Sequence, residues 1–230
     1  MRLPMVRFEQ MDKLSYKHPR RLVGLSMICL SAFFTNCGVP DINDQQVLFE
    51  AKANATPLPS LNRKLMYGMI QLYVDADDAP FNGWVKQDNP EGKIEKIGYL
   101  EDGQKEGTWL SWHRNGQLES KINWHNDQYV GHFQVWHPNG EVKALGQTKD
   151  GEVDGKWLNF YQTGILASRS MSKVGLAISS QTWTPDGQLC KKTNLVDGNG
   201  TVYQYEENGS VHKVTFFQKG IGTILPPQHF

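Results

Sequence analysis

The stretch that decides the fold is Gly107-Thr-Trp109-Leu-Ser-Trp112-His-Arg-Asn115-Gly116-Gln-Leu118, because it recurs along the chain. It returns with substitutions as Gly131-His-Phe133-Gln-Val-Trp136-His-Pro-Asn139-Gly140-Glu-Val142 and as Gly155-Lys-Trp157-Leu-Asn-Phe160-Tyr-Gln-Thr163-Gly164-Ile-Leu166. Self-similarity at a fixed period predicts a repeat architecture, in which each unit packs on its neighbours. The sequence therefore indicates a shape and a surface more directly than it indicates a reaction.

The turn glycines define the period. Gly92, Gly116, Gly140 and Gly164 lie 24 residues apart, and Gly187 and Gly209 follow after 23 and 22 residues, which predicts about six units. The turn dipeptides of the second to sixth units are Asn115-Gly116, Asn139-Gly140, Thr163-Gly164, Asp186-Gly187 and Asn208-Gly209. Asn-Gly and Asp-Gly favour a type I′ β-hairpin turn, because both central residues of that turn need positive φ. We therefore expect each unit to be a hairpin that reverses at this dipeptide.

Two aromatic columns run through the repeat. Trp109, Phe133 and Trp157 stand seven residues before the turn glycine, and Trp112, Trp136, Phe160, Trp183 and Tyr205 stand four before it. Positions three apart on a strand point to opposite faces, so we expect one column to be buried and the other to be partly exposed. Burying one large aromatic contributes roughly 4–6 kcal/mol. Ordering the backbone of one unit costs about 24–48 kcal/mol, so a unit does not fold alone and the units must stack.

A second turn column lies between the repeated phrases. It consists of Asp102-Gly103, Asn126-Asp127, Asp150-Gly151 and Asp197-Gly198, and each is followed by the glycine that opens the next phrase, Gly107, Gly131, Gly155 or Gly200. Helical periodicity is not sustained anywhere in this span. The pattern therefore predicts an all-β fold, an elongated single-layer antiparallel sheet of stacked β-hairpins over residues 66–213, roughly 60 Å long. We expect residues 214–230 to form a final strand and a capping tail.

The N-terminal region predicts a leader and a tether. Basic residues at 17–21 precede an apolar run at 22–34, which is shorter than the ~20 residues that span a bilayer and is typical of a secretory leader. Because Cys37 follows, residues 1–37 resemble a bacterial lipoprotein signal, in which Cys37 would be lipidated. A cleaved leader without lipid and an uncleaved, membrane-held leader are the alternatives, and the start may be counted from Met1 or Met11. Residues 38–65 predict a tether with a short helix capped by Asp44.

A family resemblance rests on the repeated phrase. The pattern G-x-W-x-x-W-x-x-N-G-x-L, followed by Asp-Gly and a further glycine, resembles the bacterial variant of the MORN repeat over roughly residues 67–213. Residues 73–84 resemble the opening of the first unit in such proteins, many of which carry the label of YwqK-like antitoxins of toxin–antitoxin systems. The resemblance implies single-layer sheets of stacked hairpins that act as protein- or membrane-binding scaffolds. It implies no catalytic residues.

Composition and motifs narrow the functional classes. The 24 basic and 24 acidic residues balance, which argues against a nucleic-acid partner. The cysteines, Cys29, Cys37 and Cys190, have no disulfide-framework or metal-ligand spacing. His113 and His137 share a column, but one unit separates them by roughly 10 Å, too far to hold one ion. We predict neither a metal nor a cofactor.

Two functions remain as hypotheses. The first is a non-enzymatic scaffold that binds an unknown protein partner and is anchored through lipid on Cys37 to a bacterial cell envelope, or is cytoplasmic if the leader does not function. The second is a cell-wall or carbohydrate-binding repeat protein that uses exposed aromatics as a platform. No span outside the repeats is long enough for a catalytic domain. We expect specificity in the columns that vary between units, and in His113, His137 and Tyr161.

Overall fold

The computed structural model describes residues 39–66 and 70–226. The chain divides into a unit over Met1–Cys37 and a second unit over Gly38–Phe230. The predicted leader, with Cys37, lies outside the described residues, so the lipidation of Cys37 stays a prediction.

One short helix precedes a long series of strands. The helix is α1 (Gln45–Asn54), and a 3-10 turn covers Leu58–Ser60. The strands are β1 (Thr56–Pro57), β2 (Asn62–Met66), β3 (Ile70–Val74), β4 (Gly83–Asp88), β5 (Ile94–Glu101), β6 (Gln104–Trp112), β7 (Leu118–His125), β8 (Gln128–Trp136), β9 (Val142–Lys149), β10 (Glu152–Val153), β11 (Gly155–Phe160), β12 (Leu166–Lys173), β13 (Leu176–Thr182), β14 (Gly200–Tyr205), β15 (Val211–Gln218) and β16 (Ile221–Ile224).

The strands of the repeat form a long, open antiparallel sheet of consecutive hairpins, as predicted. The spatial order is β1, β4, β5, β6, β7, β8, β9, β11, β12, β13, so the chain order is kept from β4 onward, and β10 adds to β9. Strand β1 lies parallel to β4, and every other pair is antiparallel. This order follows from short turns, since a short connection can join only neighbouring antiparallel strands.

The main sheet ends at β13, before the sixth unit. Between β13 and β14 the chain makes only the isolated bridges Trp183–Leu189 and Val196–Asn199. Strands β14, β15 and β16 then form a separate three-stranded sheet. The predicted boundary at residue 213 falls inside β15, and a second strand, β16, follows it where we expected one final strand. The C-terminal segment is therefore a hairpin that continues the last repeat.

The first turn column differs from the predicted type I′ geometry. In all six units the glycine N–H donates to the carbonyl three residues earlier, and that same residue donates its N–H to the residue after the glycine, at 2.8–2.9 Å. Only the glycine has positive φ, between 75° and 86°, and Asn115 and Asn139 do not. This pattern is a three-residue loop, a type I turn followed by a left-handed glycine. The type I′ prediction is wrong here because the pairing leaves three residues in the loop rather than two.

Type I′ geometry belongs to the second turn column instead. Both central residues have positive φ, 47–52° at the first and 61–81° at the second, in Asp102-Gly103, Asn126-Asp127, Asp150-Gly151, Val174-Gly175, Asp197-Gly198 and Lys219-Gly220. The sequence pattern missed Val174-Gly175 and Lys219-Gly220, which lack the Asn or Asp that marks the other four. Successive turns also bond to one another: the Asp127 N–H donates to Lys105 O at 3.2 Å and the Gly151 N–H to Tyr129 O at 3.1 Å. This edge of the array is therefore a ladder of stacked turns.

The glycines that open each phrase do not all begin strands. Gly155 and Gly200 do, but Gly107 and Gly131 lie inside β6 and β8, with φ of 68° and 70°. The pairing register shifts beside each of them, between β5 and β6 and between β7 and β8. These two glycines therefore sit at β-bulges, where positive φ favours a residue without a side chain.

The tether expected over residues 38–65 is, from residue 39 on, a folded cap. The side chain of Asp44 accepts hydrogen bonds from Gln46 N and Val47 N and so begins α1. Ile42 and Ala51 are each only 1% exposed and pack with Ile97 and Leu110 of the sheet. The pattern was misleading because a short, proline-rich segment with few large apolar residues looks unable to bury a core.

Candidate functional site

The pairing register divides the main sheet into two unlike faces. Residues directly opposite across neighbouring strands share a face. One row of such partners runs Leu110, Lys121, Gln134, Leu145, Leu158, Arg169, Gln181. The next row runs Trp109, Ile122, Phe133, Gly146 on the other side. We name the side of the Leu110 row the open face and the side of the Trp109 row the closed face.

The closed face buries its own side chains. Trp109 is 6% exposed, Phe133 9%, Ser168 6% and Thr182 1%. Leu58, Leu61, Tyr73 and Phe81 pack against the cluster that holds Trp109, and Ser168 lines a cavity together with Gln204 and Tyr205 of β14. Aromatic rings lie flat on glycines of the neighbouring strand. A Cβ on Gly98 would come within 2.0 Å of the Trp109 ring, and one on Gly146 within 2.5 Å of Phe133 and 3.0 Å of Trp157. Large rings thus close this face by covering positions that have no side chain.

A lysine reinforces the closed face near the second turn column. Lys105 Nζ lies 4.9 Å from the centroid of the Trp109 ring and 4.0 Å from that of the Trp124 ring, and Trp124 packs on Tyr129 with 4.2 Å between centroids. Burial lowers the pKa of the Lys105 ammonium, and the charge of Asp127 partly opposes that shift. The cluster is a cation–π stack, which adds to the apolar packing of Leu58, Leu61, Tyr73 and Phe81 near Trp109.

The open face carries an aromatic–aliphatic stripe. Cross-strand partners place Trp112 with Leu118, Trp136 with Val142, Phe160 with Leu166 and Trp183 with Leu189. We call these eight residues the stripe. They occupy the column four before and the column two after each turn glycine. Helix α1 packs on the first pair, Trp112 and Leu118, through the cluster that contains Ile42 and Ala51.

Beyond α1 the stripe is partly exposed in the described residues. Trp136, Val142, Phe160, Leu166 and Trp183 are half-buried, and Leu189 is 50% exposed. In a single-layer sheet, a run of apolar residues that its own chain leaves open marks a contact surface.

Cations lie beside the stripe on the side that points to the middle of the strands, which we call the strand side; the opposite side, next to the turns of the first column, is the turn side. Lys121 and Arg169 lie in the Leu110 row, and Lys156 lies on the same side, two residues before Leu158. Arg169 lies 5.9 Å from the Trp183 ring centroid. The carboxylate of Glu119 turns to the closed face, where Ser111 donates to it at 3.0 Å. The strands β7, β8, β9, β11, β12 and β13 therefore place no acidic side chain in the open-face rows between Lys121 and Arg169.

A hydrogen-bond ladder fixes the aromatic residues of the stripe. His113 Nε2 lies 2.8 Å from Trp136 O, and His137 Nε2 lies 2.8 Å from Phe160 O. The Tyr161 hydroxyl donates to Trp183 O at 2.7 Å. A carbonyl oxygen only accepts, so each histidine Nε2 carries a proton. Each side chain therefore bonds one unit to the next.

This ladder corrects the expectation for His113, His137 and Tyr161. They are structural contacts rather than free specificity residues: His137 is 8% and Tyr161 5% exposed. Burial, with the charge of Glu207 as a smaller cause, raises the pKa of Tyr161 to about 12. The signal was present in the sequence as one column of long side chains with hydrogen-bond donors, but their partners stand a full unit away.

The asparagines of the first turn column make a second set of contacts between units. Asn115 Nδ2 donates to Pro138 O at 2.6 Å, and Asn139 Nδ2 donates to Gln162 O at 2.8 Å. Each asparagine Oδ1 also accepts the N–H of the residue after its glycine, at 3.1 Å. Asn115 and Asn139 thus each make one hydrogen bond within their own turn and one to the turn of the next unit. Thr163 has no such contact, which agrees with its departure from the column.

The remaining predicted residues fall into the same two groups. Gly116, Gly140, Gly164, Gly187 and Gly209 occupy the left-handed position of their turns. Trp157 lies on the closed face with Phe133, their ring centroids 4.3 Å apart. Tyr205 lies beyond the main sheet, in β14, and its hydroxyl lies 3.0 Å from Cys190 Sγ. Burial is the largest cause of the raised pKa of Tyr205.

Two kinds of site would bear on function in the described residues, a metal site and a membrane-spanning helix. Within residues 39–66 and 70–226 no group of three or more His, Cys, Asp and Glu side chains is placed to hold a metal ion. None of the helices in the described part of the chain is long and apolar enough to cross a bilayer.

The fold and its two faces define a class, the β-hairpin repeat proteins with stacked turns. Residues 105–126 and 129–150 each match the family model described as the MORN repeat variant. The first match covers the β6–β7 hairpin and the second the β8–β9 hairpin. Among curated proteins, none matches the chain. The MORN-like character therefore belongs to the two central hairpins, whose turns and columns the flanking units repeat.

Proposed function

We propose that the protein is a non-enzymatic scaffold that binds a protein partner on its open face. The observation that carries this proposal is the difference between the faces. The buried residues of strands β7 to β13 all lie on the closed face. Trp136, Phe160 and Trp183, in contrast, are half-buried on the open face. The glycines and turn residues of the repeat make the contacts between neighbouring units. The stripe is therefore available for contact with a partner.

The MORN repeat variant matches support a binding role in general, to proteins or to membranes. An antitoxin-like role, which the resemblance to YwqK-like proteins suggests, would be one form of protein binding. Proximity labelling in the native cell tests the proposal, with the labelling enzyme fused after Phe230. One or a few proteins that are enriched over an unfused labelling enzyme are expected. Labelling identical to that control would reject the scaffold role.

We propose further that the scaffold is exported and held on a bacterial membrane by lipid on Cys37. The run of apolar residues at 22–34 before Cys37 supports this. Growth with a palmitate analogue should label the wild-type chain and leave Cys37→Ser unlabelled. A mature chain that retains residues 22–36 would contradict it.

A cavity favours the second candidate, a carbohydrate-binding role. It has a volume of about 250 Å³, and its lining includes Asn159, Gln204, Tyr205, Glu206 and His212. Amide, carboxylate and aromatic groups together suit the hydroxyls and the apolar face of a sugar ring. A pull-down on peptidoglycan distinguishes the two roles. Retention of the wild type with loss for Tyr205→Ala would favour the sugar, and no retention would leave the protein-binding role.

A further inference from the structure

The protein's own helix shows what the open face can bind. Helix α1 has 10 residues and lies over β4 and β5, and the first pair of the stripe packs against the same apolar cluster. Leu48, Trp112 and Leu118 all pack against the cluster that contains Ala51, and Lys52 Nζ lies 5.1 Å from the centroid of the Trp112 ring. A helix with apolar residues toward the sheet and a lysine at its edge therefore already contacts the first quarter of the stripe.

The uncovered part of the stripe repeats the same surface. Trp136 with Val142 and Phe160 with Leu166 are the counterparts, one and two units on, of the pair under α1. From β8 to β13 the stripe crosses four strand spacings of about 4.8 Å, or roughly 19 Å. A helix of about 13 residues has that length.

Charge selects the chemistry of the occupant. Lys121, Lys156 and Arg169 lie on the strand side of the stripe, and Lys156 and Arg169 are exposed. On the turn side lie three exposed acids, Glu141, Asp186 and Glu207, the last of which accepts a hydrogen bond from Gln162 N. Toward the far end of the strands Lys149 is opposite Glu152, so it adds no net charge. An occupant with acidic residues on its strand-side flank is therefore favoured over a basic one.

We propose that the open face beyond α1 binds an amphipathic helix of a partner protein, with aliphatic residues on the stripe and acidic residues toward Lys121, Lys156 and Arg169. This inference rests on the proposed scaffold function and names the partner's class. A helix that binds in a groove contacts it through anchor residues at positions i, i+3, i+4 and i+7 of the helix. The half-buried aromatics of the stripe supply the complementary sites.

A synthetic helix tests the inference with the full chain. The probe is a fluorescent 14-residue peptide with leucine at i, i+3, i+4, i+7 and i+11 and glutamate on one flank. A scramble of the same composition without helical period is its control, and binding is followed by fluorescence anisotropy. We expect saturable binding of the helical peptide, at least tenfold tighter than binding of the scramble. Equal binding of the two peptides would overturn the proposal.

Charge reversal locates the site. Lys121→Glu with Arg169→Glu should weaken peptide binding by roughly tenfold or more, since both substitutions replace attraction to the glutamates of the peptide by repulsion. The matched control, Lys93→Glu with Lys219→Glu, reverses two exposed lysines away from the uncovered part of the stripe and should leave binding unchanged. Equal loss in both would mean general charge attraction and would overturn the site. Lys121→Gln with Arg169→Gln, checked by thermal melting, guards against unfolding.

Two further probes separate other anionic ligands. Vesicles with phosphatidylserine and single-stranded poly(U) RNA are titrated under the same conditions. Tighter binding of either than of the peptide, with the same loss on charge reversal, would overturn the protein helix as occupant. The native partner found by proximity labelling completes the test. Equal capture by wild type and the Lys121/Arg169 reversal would reject this inference and keep the scaffold function, whereas no partner would reject both.

Discussion

Replacing His137 with leucine tests the contact between units. His137 is 8% exposed, and its Nε2 lies 2.8 Å from Phe160 O in the next unit. Leucine fills a similar volume but cannot donate, so it leaves a carbonyl at a buried site without this hydrogen bond. Such a loss costs about 1–3 kcal/mol. For a folded part of this size each kcal/mol lowers Tm by roughly 2–4 °C, so His137→Leu should melt about 2–12 °C below the wild type.

The control for this prediction is His132→Leu. His132 is exposed on the strand that leads to the same turn, and its side chain takes part in none of the hydrogen bonds described above. Its melting temperature should match that of the wild type within about 1–2 °C. Thermal unfolding followed by circular dichroism compares the variants. If His137→Leu melts together with His132→Leu, the side-chain ladder does not hold neighbouring units together and the reasoning fails.

Three further perturbations test the turns and the ladder. Gly140 has φ of 86°, and a Cβ there would lie 2.8 Å from Gln117 Oε1, so Gly140→Val should lower Tm more than Gly140→Asn does, since asparagine tolerates positive φ. Val174 is β-branched yet has φ of 49° and is 66% exposed. Val174→Asn should therefore raise the free energy of unfolding by about 1 kcal/mol, whereas the control Val196→Asn, at an exposed position without positive φ, should not. Equal effects of the two substitutions in urea titrations would show that Val174 is not strained. The pKa of Tyr161 is raised to about 12 in the fold, so the stabilising effect of the neutral side chain is complete below pH about 10 and is lost as pH rises through 12. Between these values the Tm of the wild type should fall more steeply with pH than the Tm of Tyr161→Phe. A parallel decrease of the two Tm values would contradict this.

The sequence predicted the period and the strand order, because both follow from local signals. Turn glycines at a spacing of 24 residues imply neighbouring antiparallel strands, and the structure has them in that order. The turn type at Asn115-Gly116 was predicted wrongly. A dipeptide does not reveal that His113 pairs with Gln117 and so leaves three residues in the loop.

The sites that escaped prediction depend on contacts between units. The bond from His137 to Phe160 O spans 23 residues, and no local pattern names the acceptor. The cap formed by Ile42 and Ala51 has no periodicity, because a single helix contributes it. The balanced composition also gives no sign of the cations on the open face. They fall into one row only once the register aligns Lys121 with the residues that lead to Arg169.

The repeat buries one face of its sheet and leaves the other partly exposed. Hydroxyl-radical footprinting of the full chain, read by mass spectrometry at each tryptophan, measures this directly. Trp136 and Trp183 on the open face should be oxidised several-fold faster than Trp109, which is 6% exposed on the closed face. In urea, which unfolds the sheet, the three rates should converge. Oxidation of Trp109 in the native protein as fast as that of Trp136 would contradict the assignment of the faces and the binding function built on it.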